Sequence, residues 1–233
     1  LRKYLPKSRG GDGPSRIRAG LGVFAPPKGK NHSMTNNFAN YPSLKSKTVL
    51  ITGGASGIGA EIVGAFAAQG AKVGFLDMDQ ATSAVVADKV PGVEFENCDL
   101  RDIEAMREAI DRLRTRLGGF DVLVNNAARD DRHAWSEVTP DYWDDRQNTN
   151  LRHHFFAIQS VANDMIAAGG GAIINMGSNS WWEAGGGFPA YATAKAGVVQ
   201  LTRSLACEWA LHQINVNSIS PGYTSTAMTM KVA

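Results

Sequence analysis

Cysteine is scarce in this chain of 233 residues, which holds only Cys98 and Cys207. Two thiols cannot build a disulfide framework, and no metal-ligand spacing surrounds them. They read as buried, reduced thiols of a cytoplasmic protein. No apolar run reaches the roughly 20 residues that a membrane span needs. The five histidines form no H-E-x-x-H pattern, so no metal site is expected. A large net charge is also lacking, at +2. That balance hides an asymmetry. Eight of the 24 Lys/Arg and one of the 22 acids (Asp12) fall in residues 1–33, so residues 34–233 hold 16 basic and 21 acidic side chains, a net charge of −5. A folded part of that charge gives no reason to expect nucleic acid as a partner.

What is present divides in two. Residues 1–45 form a basic extension, rich in Gly, Pro, Lys and Arg over 1–33 and without apolar periodicity. Such a stretch buries too little apolar surface to offset its ordering entropy, and disorder is expected. Met34 reads as a natural start, which makes residues 1–33 an extension foreign to the native chain. An organelle-targeting peptide is the competing reading, because the stretch is basic and acid-poor. From Lys47 onward, short apolar runs alternate with helical patterns. Strands are expected at 47–51, 72–76, 93–97, 122–125, 172–176 and 215–220, and helices at 58–69, 81–89, 103–117, 140–168 and 191–211. This alternation predicts an α/β fold, a Rossmann-type doubly wound parallel sheet in a single domain over 46–233. Eleven residues follow Gly222, so the sheet is expected to lack the C-terminal strand that usually follows.

The first strand runs into Thr52-Gly53-Gly54-Ala55-Ser56-Gly57-Ile58-Gly59 and then a helix. Glycines allow a tight turn and close approach of a pyrophosphate to the backbone. The helix N-terminus offers free N–H groups and a partial positive charge. Asp77 ends the second strand, where a carboxylate accepts from ribose hydroxyls and repels a 2′-phosphate. No Lys or Arg lies in 53–59 or directly after Asp77. The pattern therefore predicts NAD rather than NADP. A helix-capping role is the alternative for Asp77, although Asp79 could serve it.

These motifs resemble the short-chain dehydrogenase/reductase family over about residues 46–230. Asn125-Asn126-Ala127-Ala128 is similar to its Asn-Asn-Ala-Gly turn, with Ala128 in place of Gly. The resemblance implies cofactor contacts from Gly53, Ser56, Gly57, Ile58, Gly59, Asp77, Asp99, Leu100, Asn126, Ala127, Tyr191, Lys195, Pro221, Gly222 and Thr224. It implies Asn150, Ser178, Tyr191 and Lys195 as catalytic residues, and a dimer or tetramer as the assembly.

The chemistry of the four follows from their side chains. Tyr191 and Lys195 are four apart on a helix and share a face. A free phenol titrates near pH 10, and a neighbouring ammonium favours its phenolate. Tyr191 is thus the general base in oxidation and the general acid in reduction. Lys195 lowers its pKa and holds the nicotinamide ribose, and Ser178 orients the substrate oxygen; for Asn150 the family resemblance implies support of a proton relay.

Two polar clusters flank these residues: Arg129-Asp130-Asp131-Arg132-His133 after the Asn-Asn turn, and Arg152-His153-His154 after Asn150. Loops at the carboxyl ends of strands face the ligand crevice. Guanidinium groups suit carboxylates, and the face of Trp181 suits sugar carbons. Arg129, Arg132, His133 and Trp181 are therefore the expected substrate residues. Residues 126–156 resemble dehydrogenases of sugars and 2-keto-3-deoxy sugar acids, whereas 191–228 resemble polyol and ketose reductases. The expected function is NAD-dependent interconversion of a secondary alcohol and a ketone on a sugar, polyol or sugar acid. The alternatives are reduction of a 3-oxoacyl or other carbonyl, which the polar loops disfavour, and a catalytically silent dinucleotide-binding fragment.

Overall fold

The structure, a computed structural model, describes residues 39–224. Six strands form one parallel sheet: β1 (Thr48–Thr52), β2 (Lys72–Asp77), β3 (Glu94–Asn97), β4 (Val122–Asn125), β5 (Gly171–Met176) and β6 (Ile214–Ile219). Their order is β3-β2-β1-β4-β5-β6. Register runs from Thr48↔Lys72 to Thr52↔Leu76 between β1 and β2, and from Val49↔Val122 to Thr52↔Asn125 between β1 and β4. The chain winds outward in both directions from β1 and β4. The crevice beyond their carboxyl ends is where this topology receives a ligand.

The central strands β1, β2 and β4 are buried on both faces, and the alternation along the strands sorts the core into two layers. Leu50, Leu76, Leu123 and Ile173 point to one side. There they meet α3 (Ile103–Leu117) and α5 (His153–Ala167) through Met106, Ile110, Leu113, Ile158 and Met165. Val49, Ile51, Val73, Phe75 and Val124 point to the other side, against Val63 of α1 (Gly57–Ala68) and Val86 of α2 (Gln80–Lys89). Period-2 strands covered on both faces need this doubled apolar pattern.

Helix starts follow local capping. Asp79 accepts from Thr82 N at 3.0 Å, Asp102 from Ala105 N at 3.0 Å, and Thr139 from Tyr142 N at 3.2 Å, with Pro140 in the first turn of α4 (Pro140–Gln147). The helix expected over 140–168 is two helices, α4 and α5, joined by a π turn at Asn148–Arg152. The last helix, α6 (Pro189–Trp209), begins two residues earlier than expected because Pro189 initiates it.

Other differences are local. Within the expected basic extension, Pro42–Leu44 forms a 3-10 turn, and Tyr41 N donates to Gln69 Oε1 at 2.8 Å. Residues 1–38 lie outside the described residues, as do 225–233, on which the expected lack of a final strand falls. Cys98 is buried, as expected, and burial pushes its thiol up to about 11. Cys207 corrects the expectation of two buried thiols: it is exposed, on a solvent-facing position of α6. Among the described residues, no helix is long and apolar enough to cross a membrane.

Candidate active site

The turn after β1 is shaped by backbone packing. Gly53 has φ +69°, and a Cβ there would lie 2.8 Å from Ala127 Cα. A Cβ on Gly59 would lie 1.8 Å from the Gly53 carbonyl oxygen. Both positions therefore require glycine, which brings the start of α1 hard against the end of β1. Asn126 ties the turn to β4. Its Nδ2 donates to the carbonyls of Thr52 at 3.1 Å and Gly53 at 2.9 Å. Thr52 Oγ1 accepts from Asn126 N at 3.0 Å and Ala127 N at 3.1 Å. Ser56 is the N-cap of α1 but makes no side-chain cap bond, so the first-turn N–H groups, including those of Ile58 and Gly59, remain available. No acidic side chain lies in the first turn of α1. A glycine cradle with free helical N–H groups fits a dinucleotide pyrophosphate.

Asp77 stands beside this turn. Its Oδ2 accepts from Ala55 N at 2.9 Å, and its Oδ1 from Asp79 N at 3.0 Å. Capping of α2 falls to Asp79, so the capping alternative for Asp77 is removed. A carboxylate has about four acceptor positions, which leaves room for ribose hydroxyls. Asp99 is engaged differently. Arg101 donates to both of its oxygens and holds it below the usual carboxylate range. Arg101 also reaches Asp145 on α4 at 2.7 Å. Leu100 is buried next to Asp99.

The structure brings Ser178, Tyr191 and Lys195 together at the carboxyl end of β5. Ser178 is buried, and its Oγ accepts from Ser180 N at 3.2 Å. The Tyr191 phenol lies within reach of the Ser178 hydroxyl. Burial pushes that phenol above its ordinary value, Asp130 adds to the rise, and Ser178 and Arg132 oppose it. Lys195 is buried, with Nζ 5.7 Å from the Tyr191 ring centroid and 2.7 Å from the Met176 carbonyl to which it donates. Burial lowers its ammonium to about 7. The expected lowering of the phenol by Lys195 therefore has no counterpart in the protein alone, because burial dominates both groups.

Asn150 is fully buried in the π turn. Its Nδ2 donates to the Arg146 carbonyl at 3.0 Å, and its Oδ1 accepts from Arg129 N at 2.8 Å. It thereby joins the break in the helix to the 129–133 loop. That loop is clamped from α4. The Arg146 guanidinium, nearly fully buried, donates to Asp131 and Asp145 and lies over the Tyr142 ring at 5.3 Å. Tyr142 Oη is 2.9 Å from His133 Nδ1.

The expected carboxylate-binding arginines each pair with a neighbouring acid. Arg129 pairs with Asp131 at 3.2 Å and Arg132 with Asp130 at 3.1 Å, and Arg132 lies 4.2 Å over the Phe188 ring. His133 N donates to the Gly187 carbonyl at 2.9 Å, which fastens the loop to the segment before α6. Trp181 is partly exposed, and its indole N–H donates to Ser220 Oγ at 3.1 Å, leaving its ring available. Pro221 accepts from Asn179 N at 3.0 Å, and Gly222 and Thr224 follow it. His153 and His154 are fully buried, so neither faces a ligand crevice with Arg152. His153 Nε2 lies 3.1 Å from the Ala127 carbonyl, and burial with Lys195 nearby lowers the imidazole to about 4. The sequence reading missed Arg146 and Tyr142. Part of their signal was present as Tyr142 and Arg146 at a four-residue step, on one face of α4.

Known proteins resemble the chain in sequence and in structure. The short chain dehydrogenase family model matches residues 47–233. A protein of Rhizobium meliloti named as a galactose dehydrogenase is 46% identical over 198 residues, covering 83% of this chain and 77% of its own length. The D-xylose 1-dehydrogenase of Caulobacter vibrioides is 47% identical over 193 residues, covering 81% and 76%. A crystal structure described as a short-chain alcohol dehydrogenase of Sinorhizobium meliloti has a TM-score of 0.74 at 35% identity, covering 79% of this chain and 75% of that one. An actinorhodin polyketide ketoreductase crystallised with NADPH has a TM-score of 0.77 at 28% identity, covering 83% and 76%. With the 3-2-1-4-5-6 sheet and the glycine cradle at its switch point, these matches make the chain a member of the short-chain dehydrogenase family, and thus an oxidoreductase.

Proposed function

We propose that residues 46–233 form an NAD-dependent dehydrogenase acting on a secondary hydroxyl of a neutral sugar or polyol. The observation that carries the substrate class is the pairing of Arg129 and Arg132 with Asp131 and Asp130, which balances the charge of both guanidinium groups and weakens their pull on a substrate carboxylate. This favours neutral carbohydrates over the sugar acids also expected from the sequence. The names of the two relatives above, a galactose and a D-xylose dehydrogenase, support the same class.

The dinucleotide would be held by Gly53–Gly59 at its phosphates, by Asp77 at the adenosine ribose, and by Asp99 and Leu100 at the adenine. Asn126, Ala127, Lys195, Pro221, Gly222 and Thr224 would frame its nicotinamide half. When bound, this group accepts the hydride and brings a positive ring that favours phenolate. Tyr191 takes the proton of the substrate hydroxyl. Ser178 donates to the same oxygen and holds it at the phenol. Lys195, fixed by the Met176 carbonyl, supplies positive charge beneath Tyr191 and a donor for the ribose. Asn150 keeps the loop and helix in register around the proton path. The acid side chain at 77, with no cation after it, supports NAD over NADP.

The test is an absorbance screen for reduced nicotinamide over neutral sugars, polyols and sugar acids, each with NAD and with NADP. The highest kcat/KM is expected for a neutral sugar or polyol with NAD. Highest activity on sugar acids would overturn the substrate class, and a preference for NADP would overturn the role of Asp77.

A further inference from the structure

The main chain after β4 has no strand, turn or helix of its own over residues 126–134. Side chains from other elements hold it instead. Thr52 Oγ1 accepts from Asn126 N at 3.0 Å and Ala127 N at 3.1 Å. His153 Nε2 lies 3.1 Å from the Ala127 carbonyl oxygen, and Asn150 Oδ1 accepts from Arg129 N at 2.8 Å. A carbonyl oxygen only accepts, so Nε2 carries the proton and donates it. Burial and Lys195 keep the imidazole neutral around pH 7, so its single proton is the one on Nε2. His153 is the first residue of α5 and is fully buried. An apolar side chain would fill that position without the cost of desolvating an imidazole. What the imidazole adds is one directed donor. Its target is packed on the glycine turn, since a Cβ on Gly53 would lie 2.8 Å from Ala127 Cα. Without the donor, the 127–128 peptide is free to rotate its carbonyl toward another partner, and the surface of the crevice moves with it.

We propose that His153 is a positioning residue for the dinucleotide: its Nε2–H holds the Ala127 carbonyl and thereby fixes the main chain that frames the nicotinamide half. The proposal rests on the cofactor placement given above. It divides the work of the two helices. Arg146 of α4 anchors the 129–133 loop through Asp131, and His153 of α5 anchors the residues just before that loop. Each helix then tunes a different ligand.

The test is fluorescence titration with NADH and with NADPH, together with KM for the best sugar of the screen, in wild type, His153→Met and His153→Gln. Methionine fills the space without a donor, whereas glutamine returns an amide N–H near the place of Nε2. Titrations are made well below each variant's thermal midpoint, so that they read folded chain. The dissociation constant of the preferred dinucleotide is expected to rise about 3- to 10-fold in His153→Met, the range for one neutral hydrogen bond, while sugar KM at saturating dinucleotide stays within about twofold. His153→Gln should recover most of the affinity. If the methionine variant does not fold, His153→Asn takes its place, because its amide is too short to reach Ala127. Unchanged dinucleotide affinity in the donor-less variant, no recovery with glutamine, or a rise in sugar KM as large as the loss of dinucleotide affinity would overturn the proposal alone. A wild-type chain that binds neither NADH nor NADPH would overturn the cofactor placement and this proposal with it.

Discussion

Lys195 Nζ donates to the Met176 main-chain carbonyl at 2.7 Å, with the side chain 1% exposed. The bond crosses from α6 to the end of β5 and fixes the ammonium beneath Tyr191. It gives one hydrogen bond to a group with three donors, and burial outweighs it, lowering Lys195 to about 7. Between that value and the ordinary lysine value near 10, the unfolded chain binds a proton that the folded chain does not. Stability from this group therefore rises with pH across that window and is lowest below pH 7. Urea midpoints for wild type and Lys195→Met should diverge in favour of wild type from pH 7 to 9, by about 1 kcal/mol per pH unit. Parallel midpoints would show that the buried lysine does not titrate in this window.

Removal of the Tyr191 hydroxyl tests the acid–base assignment. Tyr191→Phe should keep NADH affinity and thermal stability, while kcat falls by about a thousandfold. Stopped-flow hydride transfer with a saturating sugar is the measurement, because it separates chemistry from product release. Retained hydride transfer would remove Tyr191 from its role.

Cofactor choice should reside at Asp77. Asp77→Ala is expected to weaken NAD by about 10-fold or more, the scale of a lost charged hydrogen bond, and to raise the relative use of NADP. Isothermal titration with both dinucleotides reads this directly. Because Asp77 also accepts from Ala55 N, Asp77→Asn separates loop support from charge: the amide keeps an acceptor for Ala55 but no longer repels a 2′-phosphate.

Arg146 should matter for substrate binding although it is too buried to touch substrate. Arg146→Ala leaves Asp131 and Asp145 without their shared partner and should destabilise the fold by about 2 kcal/mol. It should also raise KM for the sugar with little change in NADH affinity, because the 129–133 loop loses its anchor. Arg146→Lys, which restores the charge but not the forked donors, should recover stability more than KM. Chemical denaturation and steady-state kinetics on the same preparations separate the two effects.

The sheet was legible because its central strands are covered on both faces. Val49-Leu50-Ile51 and Val122-Leu123-Val124 are apolar throughout, and such runs between helical patterns have few alternatives. The cofactor turn was legible because Gly53 and Gly59 answer a steric demand of the backbone, which the sequence states openly. Around Asn150 the sequence pattern did not show the break between α4 and α5, for a physical reason. A π turn inserts an extra residue per turn, so helical phase counted through 148–152 is shifted. His153 and His154 consequently face the interior, while Phe155 is 41% exposed. The 129–133 loop was expected as a substrate element, and its internal partners were not legible. Arg129 with Asp131, and Arg132 with Asp130, are two-residue spacings that are equally compatible with side chains open to a ligand. Only the positions of α4 and Phe188 decide between those states.

The 1.8 Å separation between a hypothetical Gly59 Cβ and the Gly53 carbonyl has a bearing on how this chain could change over generations. In the proposed reading, grip on the dinucleotide resides in the main chain between β1 and α1, where a side chain added at Gly53 or Gly59 collides with the backbone. In the same reading, choice of dinucleotide resides in the side chains at and after the end of β2, where Met78 is 59% exposed and Asp79 lies at the surface. The two properties can therefore drift apart. A descendant could exchange one dinucleotide for the other by altering residues 77–79 while the turn that holds the phosphates stayed frozen.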